Sequence, residues 1–211
     1  MAFEGIVAPM FDRAAIALLK PALDAVAQRL VALRIGADAI TLTGFAIGIG
    51  GAAAIALQAP LAGLALVLAS RVLDGLDGAV ARLTAPSHGG AFLDITLDLV
   101  FYASIPLAFA VADPAANALA AAVLLAAFIG TASSFLAFAA LAAKRGLESA
   151  AYPNKGIYYL GGLTEATETL ACFALMCLWP RHFAWLAYGF AALCGLTFVM
   201  RLVGGWRALR L

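Results

Sequence analysis

Long apolar segments separated by short polar ones make up most of the chain. No Asp, Glu, Lys, Arg or His occurs from residue 39 to residue 70, and Gln58, Ala59 and Pro60 divide this run in two. An ionised side chain at the bilayer centre costs at least ~2.5 kcal/mol, so charge-free segments of about 20 residues predict membrane-spanning helices. Six spans are predicted in this way, over residues 38–57, from residue 61 onward, and over 90–112, 114–143, 158–179 and 183–204.

The first 35 residues show a different pattern. Apolar residues recur there at helical spacing, at Leu19, Leu23, Val26, Leu30 and Leu33. Such an amphipathic helix suits the headgroup region of a bilayer, and a cytosolic helix packed on the rest of the chain has the same pattern. We predict an amphipathic juxtamembrane segment over residues 1–35 and a transmembrane domain of six helices over residues 36–211.

The composition excludes other classes of protein. Of the 211 residues, 65% are hydrophobic and 12% are charged, whereas soluble domains carry about 25% charged residues. Three cysteines cannot form a closed disulfide framework, and their spacing matches no metal or redox motif. The expected fold class is an all-α integral membrane protein.

Basic residues lie almost entirely at one end of the predicted spans. Twelve of the 13 Lys and Arg residues fall near the termini or next to the connections after spans two and four, and only Arg181 lies on the other side. An excess of Lys and Arg marks the cytoplasmic side. Both termini are therefore predicted to be cytoplasmic, in a multi-pass protein of the cell's inner membrane.

Four aspartates lie at the cytoplasmic ends of spans two and three. Asp74 and Asp77 are three residues apart, and Asp94 and Asp98 are four apart, so each pair shares one face of its helix. The short connection makes the two helices antiparallel neighbours, whose acidic faces can converge. An all-carboxylate site suits one or two hard divalent cations (magnesium, manganese or calcium) better than zinc.

Small and basic residues beside the acids fit a diphosphate ligand. Gly75 and Gly78 remove side chains next to the acids, and Gly90 does the same one turn before Asp94. Arg82, one turn beyond Gly78, offers a guanidinium fork of the kind that holds phosphate. These residues predict a pocket in which metal ions neutralise phosphoryl oxygens.

The chain carries a motif with eight defined positions, Asp74-x2-Asp77-Gly78-x2-Ala81-Arg82-x7-Gly90-x3-Asp94-x3-Asp98. It resembles the signature of the CDP-alcohol phosphotransferase family, integral membrane enzymes of phospholipid synthesis. The resemblance implies transfer of a phosphatidyl group from a CDP-linked donor, expected to be CDP-diacylglycerol, to a small acceptor alcohol with release of CMP. It also implies two Mg²⁺ or Mn²⁺ ions and a homodimer, and no nucleic-acid partner is expected.

The same resemblance implies roles for individual residues. Asp74, Asp77 and Asp94 would bind the metals, and Asp98 would be a further ligand and the base that takes the acceptor's proton. The residues implied at the nucleotide and diphosphate are Gly75, Gly78, Ala81, Arg82 and Gly90. Many members carry Pro-Asn-x-x-Thr before the first span; here the stretch is Ala37-Asp38-Ala39-Ile40-Thr41, which keeps Thr41 on the nucleotide side and replaces the amide by Asp38.

Two features past the signature are candidates for binding the acceptor. The basic residues Lys144, Arg145 and Lys155 either hold an acceptor phosphate or provide orientation charge and contacts to anionic lipid. Glu165 and Glu168, predicted about two turns inside span five, either receive a polyol or amino alcohol or pair with a basic residue of a neighbouring helix.

Three further questions stay open in the sequence. Arg71 either belongs to the site or simply pairs with Asp74 one turn away. Gly44, Gly48 and Ala52 form a small-residue stripe that favours close helix approach, either between two copies or within one chain. Transport of divalent cations or protons is the competing function, although no ionisable groups continue through spans two and three. A non-catalytic lipid-binding member is a third possibility.

Overall fold

The computed structural model describes residues 10–145 and 163–210, and this part of the chain is helical apart from short connections, with no strand. Its elements are α1 (Met10–Ala32), α2 (Ala37–Ala56), α3 (Pro60–Leu83), α4 (His88–Ala112), α5 (Pro114–Lys144), α6 (Ala166–Leu178), a 3₁₀ turn (Pro180–His182) and α7 (Phe183–Arg210). The predicted all-α class is confirmed.

Four helical segments of the described chain are long and apolar enough to cross a membrane. They are Ala37–Ala56, His88–Ala112, Pro114–Lys144 and Pro180–Arg210, which match predicted spans one, three, four and six. Helix α3 is 24 residues long, but Arg71, Asp74 and Asp77 interrupt its apolar sequence. Helix α6 has 13 residues, and residues 158–162 of the predicted fifth span lie outside the described residues.

Small residues let α2 approach α3 and α4 closely. Gly44, Gly48 and Ala52 are buried on one face of α2. A Cβ added at Gly48 would lie 2.6 Å from Cδ2 of Phe101 on α4, and one added at Gly51 would lie 3.0 Å from the carbonyl oxygen of Gly63 on α3. The small-residue stripe therefore serves packing within the chain, one of the two uses that the sequence allowed.

An aromatic core ties α4 to the C-terminal helices. Phe101, Phe173 and Phe183 are fully buried, and the rings of Phe109 and Phe183 stack with centroids 4.5 Å apart. Because α4 also carries Asp94 and Asp98, this core fixes the position of half of the acidic cluster.

Helix α1 lies against α3. Its Ala27 is fully buried in a cluster with Leu76 and Val80 of α3, whereas Val26 and Leu33 are 44% and 70% exposed. The buried face of α1 therefore includes only part of the predicted apolar stripe. Through this face, α1 covers the outer side of the helix that bears Asp74 and Asp77.

Candidate functional site

The connection between α3 and α4 brings the two acidic pairs together. Helix α3 ends at Leu83 and α4 begins at His88, so only four residues separate them. Ser87 caps α4, because its Oγ accepts a hydrogen bond from the Gly90 backbone N–H at 2.9 Å. This cap starts α4 nearly two turns before Asp94.

Three of the four aspartates form a compact group. One carboxylate oxygen from each of Asp74, Asp77 and Asp94 lies within 4.8 Å of the other two. Asp77 is buried at 5% exposure, and Asp74 and Asp94 are half-buried. Oxygen ligands at this separation on two rigid helices can hold a divalent cation.

Asp98 lies beside this group and pairs with Arg71. Arg71 Nη1 is 2.5 Å from Asp98 Oδ1 on α4 and 3.3 Å from Asp74 Oδ1 on its own helix. The guanidinium carbon also lies 3.9 Å from the centroid of the Phe101 ring, a cation–π arrangement. The pairing with Asp74 that the sequence allowed is present, and the shorter contact across to α4 was not foreseen.

Thr41 on α2 reaches the cluster from a third helix. Its Oγ1 donates a hydrogen bond to Asp77 Oδ2 at 2.5 Å. Asp38, one turn earlier, lies on the α4 side, because a Cβ added at Gly90 would meet Asp38 Oδ1 at 2.9 Å. The start of α2 therefore brings Thr41 and Asp38 close to the residues of α3 and α4 that carry the motif.

The aspartates line a narrow cleft between α2, α3 and α4. Its volume is about 10 Å³, room for roughly one water-sized group. The lining residues that sequence analysis did not single out are Phe45, Ser70 and Leu97. Arg71, whose role the sequence left open, and Gly44, noted there only for helix packing, line the cleft as well. Their common sequence signal is position: each lies on the same helix face as a signature residue or Thr41, three or four residues away, or next to one.

Apart from Thr41, which lines this cleft, the residues implied at the nucleotide lie outside it. Gly75 lies against α1, where a Cβ would be 3.3 Å from Leu23 Cδ1, and a Cβ at Gly78 would be 3.3 Å from Arg82 Nη1. Ala81 is half-buried and Arg82 is exposed near the end of α3. Gly78, Ala81, Arg82 and Gly90 lie toward the connected ends of α3 and α4, beyond the three grouped aspartates.

The basic candidates for the acceptor site are only partly described. Lys144 is the last residue of α5, and Arg145 caps it. Arg145 Nη1 donates to the Leu209 carbonyl oxygen at the end of α7, at 2.7 Å, which gives it a structural role. Lys155 lies outside the described residues.

The prediction that Glu165 and Glu168 lie two turns inside a span is wrong. Glu165 is the residue before the first turn of α6, and its backbone N–H donates to Glu168 Oε2 at 3.1 Å. The two acids therefore form a capping box, which satisfies backbone donors that a helix start leaves free. Thr164 next to them bonds Thr197 of α7 at 3.0 Å.

Fold and site together define a helical membrane protein with a polycarboxylate centre. A sequence model of the CDP-alcohol phosphatidyltransferase family matches residues 34–200. The inner membrane protein YnjF of Escherichia coli is 49% identical over 201 residues, which cover 95% of this chain and 98% of that one. An archaetidylinositol phosphate synthase of Methanothermobacter thermautotrophicus is 44% identical over 77 residues, 36% of this chain and 38% of the synthase.

Solved structures share the fold. The phosphatidylinositol phosphate synthase PgsA1 of Mycobacterium tuberculosis with CDP-DAG bound superposes with a TM-score of 0.71 at 20% identity, covering 87% of this chain and 93% of that one. The same enzyme in complex with manganese and citrate gives a TM-score of 0.69 at 21% identity, covering 87% of this chain and 88% of that one.

The chain belongs to the CDP-alcohol phosphatidyltransferase family. It is therefore a transferase of phospholipid biosynthesis, of the EC 2.7.8 type.

Proposed function

We propose that the chain transfers a phosphatidyl group from CDP-diacylglycerol to the hydroxyl of a small acceptor alcohol and releases CMP. The observation that carries the proposal is the group of Asp74, Asp77 and Asp94, whose carboxylate oxygens lie within 4.8 Å of one another, with Asp98 one turn further along α4. The CDP-DAG found in the structurally similar synthase supports the choice of donor.

We infer that the acidic group holds two divalent cations, Mg²⁺ or Mn²⁺. The ligand atoms fit such ions because they are carboxylate oxygens. Arg71 is the one cation with a described ion pair to the four aspartates, so their negative charges outnumber the positive charge beside them. The manganese complex of the similar synthase supports the same choice. When bound, the ions neutralise diphosphate oxygens and stabilise the leaving CMP.

The neighbouring residues hold this arrangement and receive the donor. Thr41 orients Asp77 through its hydrogen bond, and Arg71 orients Asp98. The CDP moiety would extend along the end of α3 and the start of α4, where the small side chains leave the backbone accessible. The residues we assign to this contact are Gly75, Gly78, Ala81, Arg82, Gly90 and Thr41.

We assign Asp98 as the general base. The acceptor oxygen forms a bond to the phosphatidyl phosphorus, the bond from that phosphorus to CMP breaks, and Asp98 takes the hydroxyl proton. A carboxylate is a weak base near neutral pH, so alignment of the two substrates must supply most of the rate acceleration.

The membrane arrangement is part of the proposal. We infer six spans, with α3 and α6 completing the set, α1 at the membrane surface, and both termini and the site on the cytoplasmic side. The charge asymmetry of the sequence supports this orientation, and identity to an inner membrane protein of E. coli supports the inner membrane. A reporter that functions only in the cytoplasm should be active when it is fused after Arg210, and a reporter that functions only outside the cytoplasm should be inactive there.

The acceptor remains one of two chemical types. Lys144, Arg145 and Lys155 favour an acceptor with a phosphate group, such as glycerol 3-phosphate or inositol phosphate. Glu165 and Glu168 favour a polyol or an amino alcohol. Because Glu165 caps α6, Glu165→Gln should be assayed together with thermal unfolding, so that loss of one acceptor is separated from loss of the helix start.

The proposal is tested with purified protein, CDP-diacylglycerol and Mg²⁺ or Mn²⁺. Glycerol 3-phosphate, inositol phosphate, serine and choline are added in turn, and CMP release is measured. We expect one acceptor to support release, and Asp98→Asn to lower the rate about 10²- to 10⁴-fold. Thermal unfolding of Asp98→Asn measures separately what the loss of its ion pair with Arg71 costs in stability.

Two outcomes would contradict this function. One is CMP release that is unchanged in Asp98→Asn. The other is a flux of protons or divalent ions through proteoliposomes without any CMP release, which would favour transport. Cross-linking of the reconstituted protein would test the homodimer that the family resemblance implies.

A further inference from the structure

A second cavity lies at the end of the bundle opposite the carboxylates. It has a volume of about 400 Å³ and is formed by the α2–α3, α4–α5 and α6–α7 connections. Two residues of α2 give the distance between the two sites: Thr41 lines the cleft of the aspartates, and Ile55 lines the second cavity. Fourteen residues of helix separate them, a distance of roughly 20 Å. The second cavity is therefore separate from the proposed active site.

The cavity has an apolar floor and two opposite charges. Phe109 and Ile55 belong to the buried core beneath it, while Asp113 and Arg181 line it and are exposed. Neither charged residue takes part in an ion pair among the residues that the structure describes. A cation and an anion thus face one cavity without neutralising each other.

The two side-chain amides around the cavity each donate an internal hydrogen bond. Gln58 Nε2 donates to the Ala112 carbonyl oxygen at 2.6 Å, and Asn117 Nδ2 donates to the Phe109 carbonyl oxygen at 3.0 Å. Both bonds hold the ends of α2, α4 and α5 together and so build a fixed rim. Arg181 is left as the charged donor, and Asp113 retains acceptor capacity because only Oδ1 bonds the Ala116 N–H.

Exposed aromatic residues indicate the depth of the cavity in the membrane. Trp179 and Trp185 flank Arg181 in sequence and are 56% and 77% exposed. Tryptophan collects at the boundary between the hydrocarbon and the headgroups. The cavity therefore opens at headgroup level, where a ligand with an apolar body and a charged head is abundant.

We propose that this cavity binds an aminophospholipid of the leaflet opposite the carboxylate site, with its phosphate on Arg181 and its ammonium on Asp113. The headgroup carries one negative and one positive group, which match the two charges of the cavity. The guanidinium suits phosphate oxygens, and a primary ammonium has N–H donors for the carboxylate. The glycerol region would lie against the apolar floor.

The test is lipid binding to the full-length protein by native mass spectrometry in detergent, with EDTA present to keep metal-dependent lipid binding at the carboxylates to a minimum. The probes are phosphatidylethanolamine, phosphatidylglycerol and phosphatidylcholine, which differ in headgroup charge and in N–H donors. We expect phosphatidylethanolamine to bind about tenfold more tightly than the other two, the effect of one charge-assisted hydrogen bond.

Two variants separate the two contacts. Arg181→Gln should weaken binding of all three lipids, whereas Asp113→Asn should abolish the preference for phosphatidylethanolamine and keep the α5 cap, since Asn also caps helices. Arg207→Gln, an exposed arginine at the other end of α7, is the matched control and should bind like wild type.

Equal affinity for the three lipids, or a preference that survives both substitutions, would overturn this assignment. CMP release should persist in Arg181→Gln because the cavity is remote from the carboxylates. A failure of the lipid proposal is thus distinguishable from a failure of the proposed function.

Discussion

Arg71 joins α3 to α4 through Asp98, with Nη1 and Oδ1 2.5 Å apart. The same guanidinium lies 3.3 Å from Asp74 and over the ring of Phe101. Its side chain is 12% exposed, so water screens these contacts less than on an open surface. The acid that we assign as the base is therefore positioned by an arginine of the neighbouring helix.

Replacing Arg71 should impair turnover more than stability. In Arg71→Gln the charge that orients Asp98 is lost, and we expect CMP release to fall at least about tenfold, since a group displaced from its geometry loses much of its effect. Arg71→Lys keeps the charge without the planar fork and should recover part of the rate. Equal rates for wild type and Arg71→Gln would remove the positioning role.

Removing one carboxylate should weaken metal binding. Wild-type protein should show a higher melting temperature with Mn²⁺, because a ligand that binds the folded state at 100 times its Kd stabilises it by about 2.7 kcal/mol. Asp94→Asn should lose most of this increase and all measurable CMP release. Asp24→Asn, which removes an acid of α1 that pairs with Lys20, is the control and should respond to Mn²⁺ like wild type.

The hydroxyl of Thr41 should matter through Asp77. Thr41→Val keeps the shape and removes the hydrogen bond to a carboxylate that is 5% exposed. A hydrogen bond to a charged group contributes about 1.5–3 kcal/mol, so the Mn²⁺ concentration for half-maximal activity should rise tenfold or more. Thr41→Ser retains the hydroxyl and should restore it; a serine variant as weak as the valine variant would point to packing instead.

The Gly48→Ala substitution tests whether the close packing of α2 requires a residue without a side chain. A methyl group there would lie 2.6 Å from Phe101 and 2.8 Å from Ser70 Oγ, beneath Arg71. We expect Gly48→Ala to destabilise the fold by about 1–3 kcal/mol and to lower activity, measured by thermal unfolding in detergent and CMP release. Gly195→Ala, where nothing lies within 4 Å of the new methyl, should be neutral or stabilising by about 0.5–1 kcal/mol.

Local features were readable from the sequence. The three- and four-residue spacing of the aspartates and the short connection at Ser87 sufficed to predict convergence, because helical periodicity and chain reversal depend on nearby residues only. Four of the six predicted spans coincide with membrane-length helices for the same reason. The small-residue stripe on α2 was recognisable, although its partner was not.

The sequence by itself thus determined the all-α membrane class, the family and the acids that meet. Only the tertiary structure decided that Arg71 contacts Asp98 across helices, that Thr41 bonds Asp77, that Arg145 reaches Leu209, and that Glu165 and Glu168 cap α6. Each of these contacts depends on how neighbouring helices are rotated and shifted against one another. Packing of whole helix faces sets that register, and no short stretch of sequence encodes it.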